Sequence, residues 1–206
     1  IKKFLFASSG SVYGISKKNK VDENTKLIPV SDYNKTKMIG EKLISRYNKY
    51  FKIVMLRPGT VCGFSNSLRL DLTVNAMTHS AITKGKIFVN GGNQIRPHLH
   101  IDDMINAYIF FLKSNKTGIF NVGFENLKVI EIARIIKSFY KNCKIEIKKN
   151  IDKRSYKLYS KKIIDIGFVP TKRTYDAIKE LIDQNRLKKI DANINSIRTL
   201  KLKKLL

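Results

Sequence analysis

Two hydrophobic patterns alternate along the 206-residue chain. Short apolar runs, typical of buried strands, are followed by longer segments in which apolar residues return every three or four positions, as on one face of a helix. The strand-like runs lie at 4–7, 52–56, 87–89, 119–122 and 144–147, and the helical segments lie at 35–50, 73–83, from 102 onward, 129–140 and 174–187. Strands that alternate with helices predict an α/β protein with a doubly wound parallel sheet and a smaller α/β cap.

Two helical segments carry more specific expectations. In segment 35–50, Ile39, Leu43 and Tyr47 recur at the spacing of one helix face. Asp102 stands directly before an apolar stripe and is expected to cap the helix that follows it.

Charge is the unusual feature of the composition. The formal net charge is +25, and 32 of the 41 basic residues are lysines. A basic chain can bind nucleic acid or an anionic membrane. Here, however, the lysines are scattered along the chain and form no block with interleaved aromatics. We therefore expect no specific nucleic-acid partner, and nucleic-acid binding stays a minor alternative.

Cysteine content and hydropathy indicate the compartment. The chain has two cysteines, Cys62 and Cys143, which cannot make a disulfide framework, and no apolar run approaches the roughly 18 residues of a membrane span. We expect a cytoplasmic protein with no membrane partner.

A hydroxyl-rich turn and a tyrosine–lysine pair are the candidate chemistry. The segment Ser8-Ser9-Gly10-Ser11-Val12-Tyr13-Gly14 follows the first strand, and Tyr33 stands four residues before Lys37. On a helix, residues four apart share a face, and a cation held beside a phenol favours the phenolate. Such a pair can act as a base, with a serine hydroxyl to orient the reacting group.

Two other groups of residues are candidates for a metal site and for a nucleophile. His98, His100 and Asp102 alternate and would share one face of a strand, but His79 is the only other histidine, so we expect no metal site. Cys62 has no evident base and lies in a glycine-rich turn, so a small buried residue is expected there in place of a nucleophile.

Five ordered motifs carry a resemblance to a known family. Two of them are the hydroxyl-rich turn at 8–14 and the pair of Tyr33 and Lys37. The other three are Leu56-Arg57-Pro58-Gly59-Thr60-Val61-Cys62-Gly63, Arg96-Pro97-His98-Leu99-His100-Ile101-Asp102-Asp103 and Gly118-Ile119-Phe120-Asn121-Val122-Gly123. Up to about Leu187 the chain resembles the extended short-chain dehydrogenase/reductases, and within them the NAD-dependent nucleotide-sugar epimerases and dehydratases of the UDP-glucose 4-epimerase type. The resemblance implies a Rossmann-type sheet, NAD as cofactor (with NADP as an alternative), a nucleotide-diphosphate sugar as substrate, and a homodimer in the full-length protein.

The glycine-rich turn that opens this family's fold is absent from the sequence. Family members begin with a strand and a Gly-x-x-Gly-x-x-Gly turn that holds the cofactor pyrophosphate at a helix N-terminus. No such spacing occurs in the chain, which begins at Ile1. We therefore expect a C-terminal portion of a longer enzyme, inactive in isolation. The expected division is 1–63 for the C-terminal part of the NAD-binding domain, 64–187 for the substrate-binding cap with returning Rossmann elements, and 188–206 for a basic tail.

The resemblance assigns roles to individual residues. It implies that Tyr33 takes a proton from a sugar hydroxyl, that Lys37 favours the phenolate and binds the nicotinamide ribose, and that Ser9 hydrogen-bonds the developing carbonyl. The remaining implied positions line the nicotinamide (Pro58, Gly59 and Val61) or contact the substrate (Ser11, Thr60, Asn75, Arg96 and Arg154).

Two positions bear on the reaction type. Dehydratases of the family carry an acidic pair directly after the catalytic hydroxyl residue, where this chain has Gly10 and Ser11. We therefore expect an epimerase that works through a transient 4-keto sugar. A 4-keto reductase or dehydratase of the same family and a non-catalytic fragment remain the alternatives.

Overall fold

The computed structural model describes residues 1–15, 20–148 and 155–186. It contains a three-stranded parallel sheet, in the order β1 (Lys3–Ala7), β3 (Lys52–Pro58) and β7 (Gly118–Val122). Ala7 pairs with Leu56 and Pro58 pairs with Val122, so the carboxyl ends of all three strands meet at one edge. The motif residues that follow these strands are therefore brought together at that edge. In open α/β sheets this is the edge at which ligands bind.

The remaining strands form three smaller sheets. β4 (Thr60–Cys62) and β6 (Ile95–His100) are parallel, and β8 (Glu125–Lys128) is antiparallel to β6. The two parallel pairs are β5 (Lys86–Asn90) with β9 (Lys144–Lys148), and β2 (Lys20–Val21) with β10 (Lys157–Leu158). The predicted parallel α/β architecture is confirmed, whereas the sequence patterns did not indicate β2, β4, β6, β8 or β10.

Five of the six α-helices in the described ranges contribute to two apolar clusters. The helices are α1 (Asp32–Ser45), α2 (Thr73–Lys84), α3 (Ile101–Lys113), α4 (Val129–Phe139), α5 (Lys161–Asp165) and α6 (Thr174–Arg186), with a 3₁₀ turn at Gly10–Tyr13. One apolar cluster joins α2, α4 and α6 to β5, and a second joins α3 to β3 and β7. We call the first cluster, with the elements that form it, the cap; the second cluster lies against the parallel sheet.

Three helix boundaries differ from the prediction. The helix expected over 35–50 begins at Asp32, because the Ser31 hydroxyl accepts a hydrogen bond from the Asn34 N–H and so caps an earlier start. It ends at Ser45, where the backbone tightens into turns, with Tyr47 N–H bonding to Ile44 O at 3.0 Å. α3 is capped by the His100 ring, which accepts from Asp102 N–H, so the expectation that Asp102 is the cap was wrong by two residues.

The remaining helix predictions agree closely with the structure. α2 and α4 lie within one residue of the predicted 73–83 and 129–140. α6 begins at the predicted Thr174; position 187 and the tail 188–206 lie outside the described residues. Among the helices that the structure describes, none is both long and apolar enough to cross a bilayer.

Candidate active site at the carboxyl edge of the sheet

Tyr33 and Lys37 lie together on the first two turns of α1, at the carboxyl end of β1. The Lys37 Nζ donates a hydrogen bond of 2.7 Å to the carbonyl oxygen of Ala7, the last residue of β1. The same ammonium lies 5.7 Å from the centroid of the Tyr33 ring. Tyr33 is 57% exposed, so its phenol is open to a ligand. The predicted sharing of one helix face is therefore what the structure has.

The 3₁₀ turn after β1 brings the two candidate serines against α1. Ser9 is the N-cap of this turn, and its Oγ accepts from the Ser11 N–H at 3.2 Å. The Ser9 and Ser11 hydroxyls lie 2.8 Å apart, and the Ser11 hydroxyl donates to Asn34 Oδ1 at 2.7 Å. A continuous hydrogen-bonded chain thus joins the turn to the residue after Tyr33.

A buried ion pair lies behind these groups. Arg57, in β3, donates to both carboxylate oxygens of Glu41, at 2.9 and 2.6 Å, and both side chains are at least 95% buried. Arg57 also donates to the Tyr13 hydroxyl at 2.8 Å, and that hydroxyl donates to Asn121 Oδ1 at 2.7 Å. We call these four residues, Tyr13, Glu41, Arg57 and Asn121, the buried polar network. It links the 3₁₀ turn, α1, β3 and β7.

Burial and pairing act on the network in opposite directions. Burial raises the pKa of the Tyr13 phenol to about 12, against the lowering effect of the adjacent Arg57 charge, so this phenol stays neutral and can donate. Burial alone would lower the pKa of Arg57, but its hydrogen bonds with Glu41 and Tyr13 outweigh burial and raise it. Arg57 therefore keeps its positive charge inside the network, paired with Glu41.

Two contacts from successive turns of α1 hold the end of β1. Lys37 donates to the Ala7 carbonyl, and Glu41 accepts a 2.5 Å hydrogen bond from the Ser8 hydroxyl. Residues 37 and 41 are four apart and so share a helix face. Since Ala7 and Ser8 directly precede Ser9, these contacts set the position of the Ser9 hydroxyl relative to Tyr33.

Sequence patterns did not single out Glu41, Asn34 or Tyr13, although one signal was present. Arg57 directly follows the apolar run of the buried strand predicted at 52–56. A charged residue at such a position is rarely buried without a partner, so a buried acid was to be expected. The sequence gives no indication of which acid it is, because Glu41 comes close to Arg57 only through the packing of α1 on the sheet.

The residues expected along the nicotinamide follow β3. Pro58 ends β3, and the Gly59 N–H donates to the Val122 carbonyl at 2.8 Å. A Cβ at position 59 would lie 2.9 Å from the Pro97 carbonyl oxygen, so glycine permits this close approach of β3 to β6. Val61 packs against the core of the parallel sheet.

The residues expected at the substrate lie on the cap side. Thr60 pairs with His98 across β4 and β6, and Arg96 stands two residues before His98 and so on the same strand face. Asn75 is buried, and its amide accepts from the Gly63 N–H at 3.1 Å and donates to the Arg69 carbonyl at 3.0 Å. Its amide thus holds the loop between β4 and α2. Arg154 lies outside the described residues.

Of the residues considered above as metal ligands, His100 and Asp102 lie close to Glu180 of α6. One donor atom from each of His100, Asp102 and Glu180 lies within 4.8 Å of the others, but the Lys172 ammonium bonds to Asp102 at 2.8 Å and to Glu180 at 2.5 Å. These hydrogen bonds raise the pKa of Lys172. The ammonium thus supplies the positive charge between the two carboxylates.

The tautomer of His100 follows from its contacts. Its Nδ1 accepts from Asp102 N–H, so Nε2 carries the hydrogen and donates to Glu180 at 3.1 Å. Together with Lys172, this contact ties α6 to the start of α3.

Cys62 is buried, as predicted. Burial, with added effect from the charges of Glu125 and Glu180, raises the pKa of the thiol to about 12. The thiol form therefore prevails, and a nucleophilic role is disfavoured.

Comparison with known proteins decides the family. Residues 1–123 match the family described as "NAD dependent epimerase/dehydratase family". This chain belongs to that family. The predicted resemblance is therefore confirmed, and the Tyr33, Lys37 and Ser9 arrangement lies within the matched part.

Curated relatives include both reaction types. The chain is 28% identical over 159 residues to the UDP-glucose 4-epimerase of Lactobacillus helveticus, covering 65% of this chain and 48% of that protein. It is 26% identical over 205 residues to the human dTDP-D-glucose 4,6-dehydratase, covering 90% of this chain and 57% of that protein. The chain spans about half the length of these relatives.

Solved structures share the fold. The UDP-glucuronic acid 4-epimerase of Bacillus cereus, in complex with UDP-glucuronic acid and NAD, has a TM-score of 0.78 at 26% identity, covering 90% of this chain and 62% of that one. The Thermus thermophilus UDP-glucose 4-epimerase complex with NAD has a TM-score of 0.77 at 22% identity, covering 90% of this chain and 64% of that one. The Rossmann-type fold is thereby established.

The groups at the sheet edge fit one end of the family's cofactor. An exposed phenol and an ammonium beside the carboxyl end of β1 are hydrogen-bond donors suited to ribose hydroxyls. Tyr33, Lys37 and the Pro58–Gly59 turn would hold the nicotinamide riboside. The chain has no Gly-x-x-Gly-x-x-Gly turn, so none of its residues is assigned to the pyrophosphate.

Proposed function

We propose that the enzyme carrying this chain is an NAD-dependent epimerase of a nucleotide-diphosphate sugar, working through a 4-keto sugar. The observation that carries the proposal is the placement of Lys37 between the Tyr33 ring and the end of β1, with the Ser9 hydroxyl held at the same edge. A base, a cation and a hydroxyl donor around one exposed edge suit proton removal from a sugar hydroxyl.

Tyr33, Lys37 and Ser9 have different roles in the oxidation of the sugar 4-hydroxyl. Tyr33 takes the proton from the 4-hydroxyl of the sugar, and the Lys37 charge stabilises the phenolate. The Ser9 hydroxyl donates to the oxygen that becomes the carbonyl. Tyr33, Lys37 and the Pro58–Gly59 turn would hold the nicotinamide, which would supply a reversible hydride acceptor for that same carbon. Tyr33 then gives the proton back, so the sugar leaves as either 4-epimer.

Substrate binding is proposed for the cap side of the edge. Arg96 and Thr60 lie on the strand pair β4 and β6, next to the Pro58–Gly59 turn. A guanidinium suits phosphate oxygens, so we assign Arg96 to the diphosphate. Ser11, Asn75 and Arg154 remain further predicted contacts. Binding energy from the nucleotide then holds the sugar in place for the reaction.

Epimerisation is favoured over dehydration by the turn itself. Dehydration needs an acid to protonate the departing hydroxyl, and positions 10 and 11 carry Gly10 and Ser11. A Cβ at position 10 would lie 2.9 Å from the Pro58 carbonyl oxygen, so the turn leaves little space for a larger side chain there. A 4-keto reductase is the second candidate, since it needs the same three residues and no acid pair.

We also propose a homodimer for the complete protein. Ile39 and Leu43, on the face of α1 opposite to the buried Asn34 and Glu41, are about half exposed, as is Tyr47 just beyond the helix. A second copy of this apolar stripe is the partner that would cover it symmetrically.

The proposal has three further parts. We propose that the chain divides at about 63 and 187, that it has no specific nucleic-acid partner, and that the protein is cytoplasmic. Both cysteines are free thiols, which fits a reducing compartment.

The reaction type is tested in a hybrid that joins this chain to the N-terminal glycine-rich segment of an epimerase relative. With bound NAD verified by absorbance, UDP-glucose and UDP-glucuronic acid should each be tested for conversion into the 4-epimer by NMR. We expect interconversion with no net NADH. Stoichiometric consumption of NADH with a 4-keto sugar would indicate a reductase instead. A folded, NAD-loaded hybrid that makes a dehydrated sugar would contradict the epimerase proposal.

A further inference from the structure

The hydroxyl chain at the site has a definite direction. Ser11 donates its single hydrogen to Asn34 Oδ1 at 2.7 Å, because a carbonyl oxygen only accepts. The Ser9 and Ser11 hydroxyls lie 2.8 Å apart, so Ser9 must be the donor in that bond. With this direction the Ser9 hydrogen is engaged inside the protein and is not offered to a sugar oxygen.

The other end of the same amide is left without a partner. Asn34 is 2% exposed, and within the described residues its Nδ2 makes no hydrogen bond. A buried donor without an acceptor costs about 1–3 kcal/mol. Orphaned buried N–H groups are also rarer than under-satisfied carbonyls. The present orientation of the amide therefore carries an energetic cost, which narrows the energy difference between it and the reverse orientation.

A half-turn of the amide about its Cβ–Cγ bond exchanges the two ends within the same volume. The Nδ2 group then donates to Ser11 Oγ, the Ser11 hydrogen turns to Ser9, and the Ser9 hydrogen becomes free. The backbone does not need to move, since the Asn34 N–H is bonded to the Ser31 hydroxyl at 3.3 Å in either state. Both orientations are thus accessible at this site.

We propose that Asn34 is a positioning residue that sets the direction of the Ser9–Ser11 hydrogen bonds. Ser9 can donate to the forming carbonyl only when the side-chain Nδ2 group of Asn34 faces the Ser11 hydroxyl. The nucleotide sugar, by accepting from Ser9, favours that orientation. The inference rests on the proposed function, and it adds to it the residue that makes the Ser9 hydrogen available.

Asn34→Asp in the hybrid tests this directly. An ionised carboxylate only accepts, so it holds Ser11 as donor and keeps the Ser9 hydrogen engaged, whereas a protonated carboxyl can donate to Ser11. Burying a carboxylate at this 2% exposed position has a cost, which an acidic residue in the first turn of a helix partly offsets, so folding of the variant is verified by circular dichroism. The charged side chains behind Asn34, Glu41 and Arg57, are already paired with each other.

We expect turnover of Asn34→Asp to fall about 100-fold at high pH, as for loss of one donor to a developing oxyanion. Turnover should recover as the pH is lowered and the new carboxyl is protonated, with little change in KM. Asn106→Asp, at an exposed position of α3, is the control for an added charge. Adding Ser11→Ala should remove this pH step, because Ser9 then has no hydroxyl acceptor.

A second readout needs no turnover. The side-chain amide protons of Asn34 in the ¹⁵N-labelled hybrid should move downfield when UDP-glucose binds, since the N–H gains Ser11 as acceptor, and Ser11→Ala should abolish that change. An Asn34→Asp variant with the unmodified pH profile, or amide signals unmoved while neighbouring signals respond, would overturn the role of Asn34 alone. Full activity in Tyr33→Phe would instead overturn the proposed function and this inference with it.

Discussion

Helices α1 and α4 bury opposite kinds of side chain. α4 packs Val129, Ile132, Ala133 and Ile136 into the cap, as its apolar periodicity predicts. α1 buries Asn34 and Glu41 and leaves Ile39 and Leu43 about half exposed. The cap helix is therefore held by apolar burial, whereas the helix that carries Tyr33 is held to its sheet by polar contacts with fixed directions. Directional contacts suit a site in which hydroxyls must be placed within hydrogen-bonding distance.

The largest expected effect comes from breaking the buried ion pair. Glu41→Ala leaves the Arg57 charge buried without compensation and should lower the free energy of unfolding by about 3–5 kcal/mol. Adding Arg57→Met should restore much of this loss, because neither charge then remains. Urea unfolding followed by circular dichroism measures both. Ile136→Ala is the matched change in α4, and the Arg57→Met exchange should not relieve its cost. If Glu41→Ala and Glu41→Ala/Arg57→Met lost the same free energy of unfolding, the claim that α1 is held by a buried ion pair would be contradicted.

A buried histidine gives the cap side its own pH dependence. His98 is 1% exposed, neither ring nitrogen has a hydrogen-bond partner within the described residues, and burial, reinforced by Arg96, lowers its pKa from 6.5 to about 4. Because the unfolded chain binds this proton more readily, stability present above pH 6.5 is lost as the pH falls toward 4, by about 3 kcal/mol.

His98→Phe should remove that part of the pH dependence. Urea unfolding at pH 7, 5.5 and 4.5 on both proteins isolates it, since the carboxylates titrate in each. His79→Phe, at a less buried histidine on α2, is the control. A His98→Phe variant that loses stability as steeply as the unmodified chain would show that His98 is not the responsible group.

The smallest effect on stability is expected at the exposed stripe of α1. Leu43→Gln should change the free energy of unfolding by no more than about 0.5 kcal/mol, because its side chain is half exposed in the single chain. In the hybrid the same change should shift a dimer to monomers in sedimentation experiments. The exposed Ile109→Gln on α3 is the control. A hybrid that is monomeric before any substitution would remove the proposed role of the stripe.

The same contrast explains what could be predicted from the sequence. Apolar periodicity located α2 and α4 within one residue, because those helices are held by the faces that the period reveals. It did not reveal β6, whose middle residues are a proline and a buried histidine. It also misplaced the ends of α1, where hydroxyl capping and tight turns decide the boundary.

Site residues divide in a similar way. The pairing of Tyr33 with Lys37 follows from helix spacing alone. The partners of Arg57 and Ser11 are 16 and 23 residues away in the chain, and they meet only when α1 packs on the sheet. Such long-range polar pairs leave no periodic signal.

The central claim is that Tyr33 exchanges the proton with the sugar hydroxyl, and Tyr33→Phe in the NAD-loaded hybrid tests it most directly. Single-turnover conversion of the nucleotide sugar and its equilibrium binding should be measured side by side, with Tyr50→Phe, at an exposed tyrosine away from the site, as the control. Loss of a positioned base predicts a fall in turnover of about 10²–10⁴-fold, with binding of the nucleotide sugar retained. Turnover equal to that of the unmodified hybrid would contradict the account.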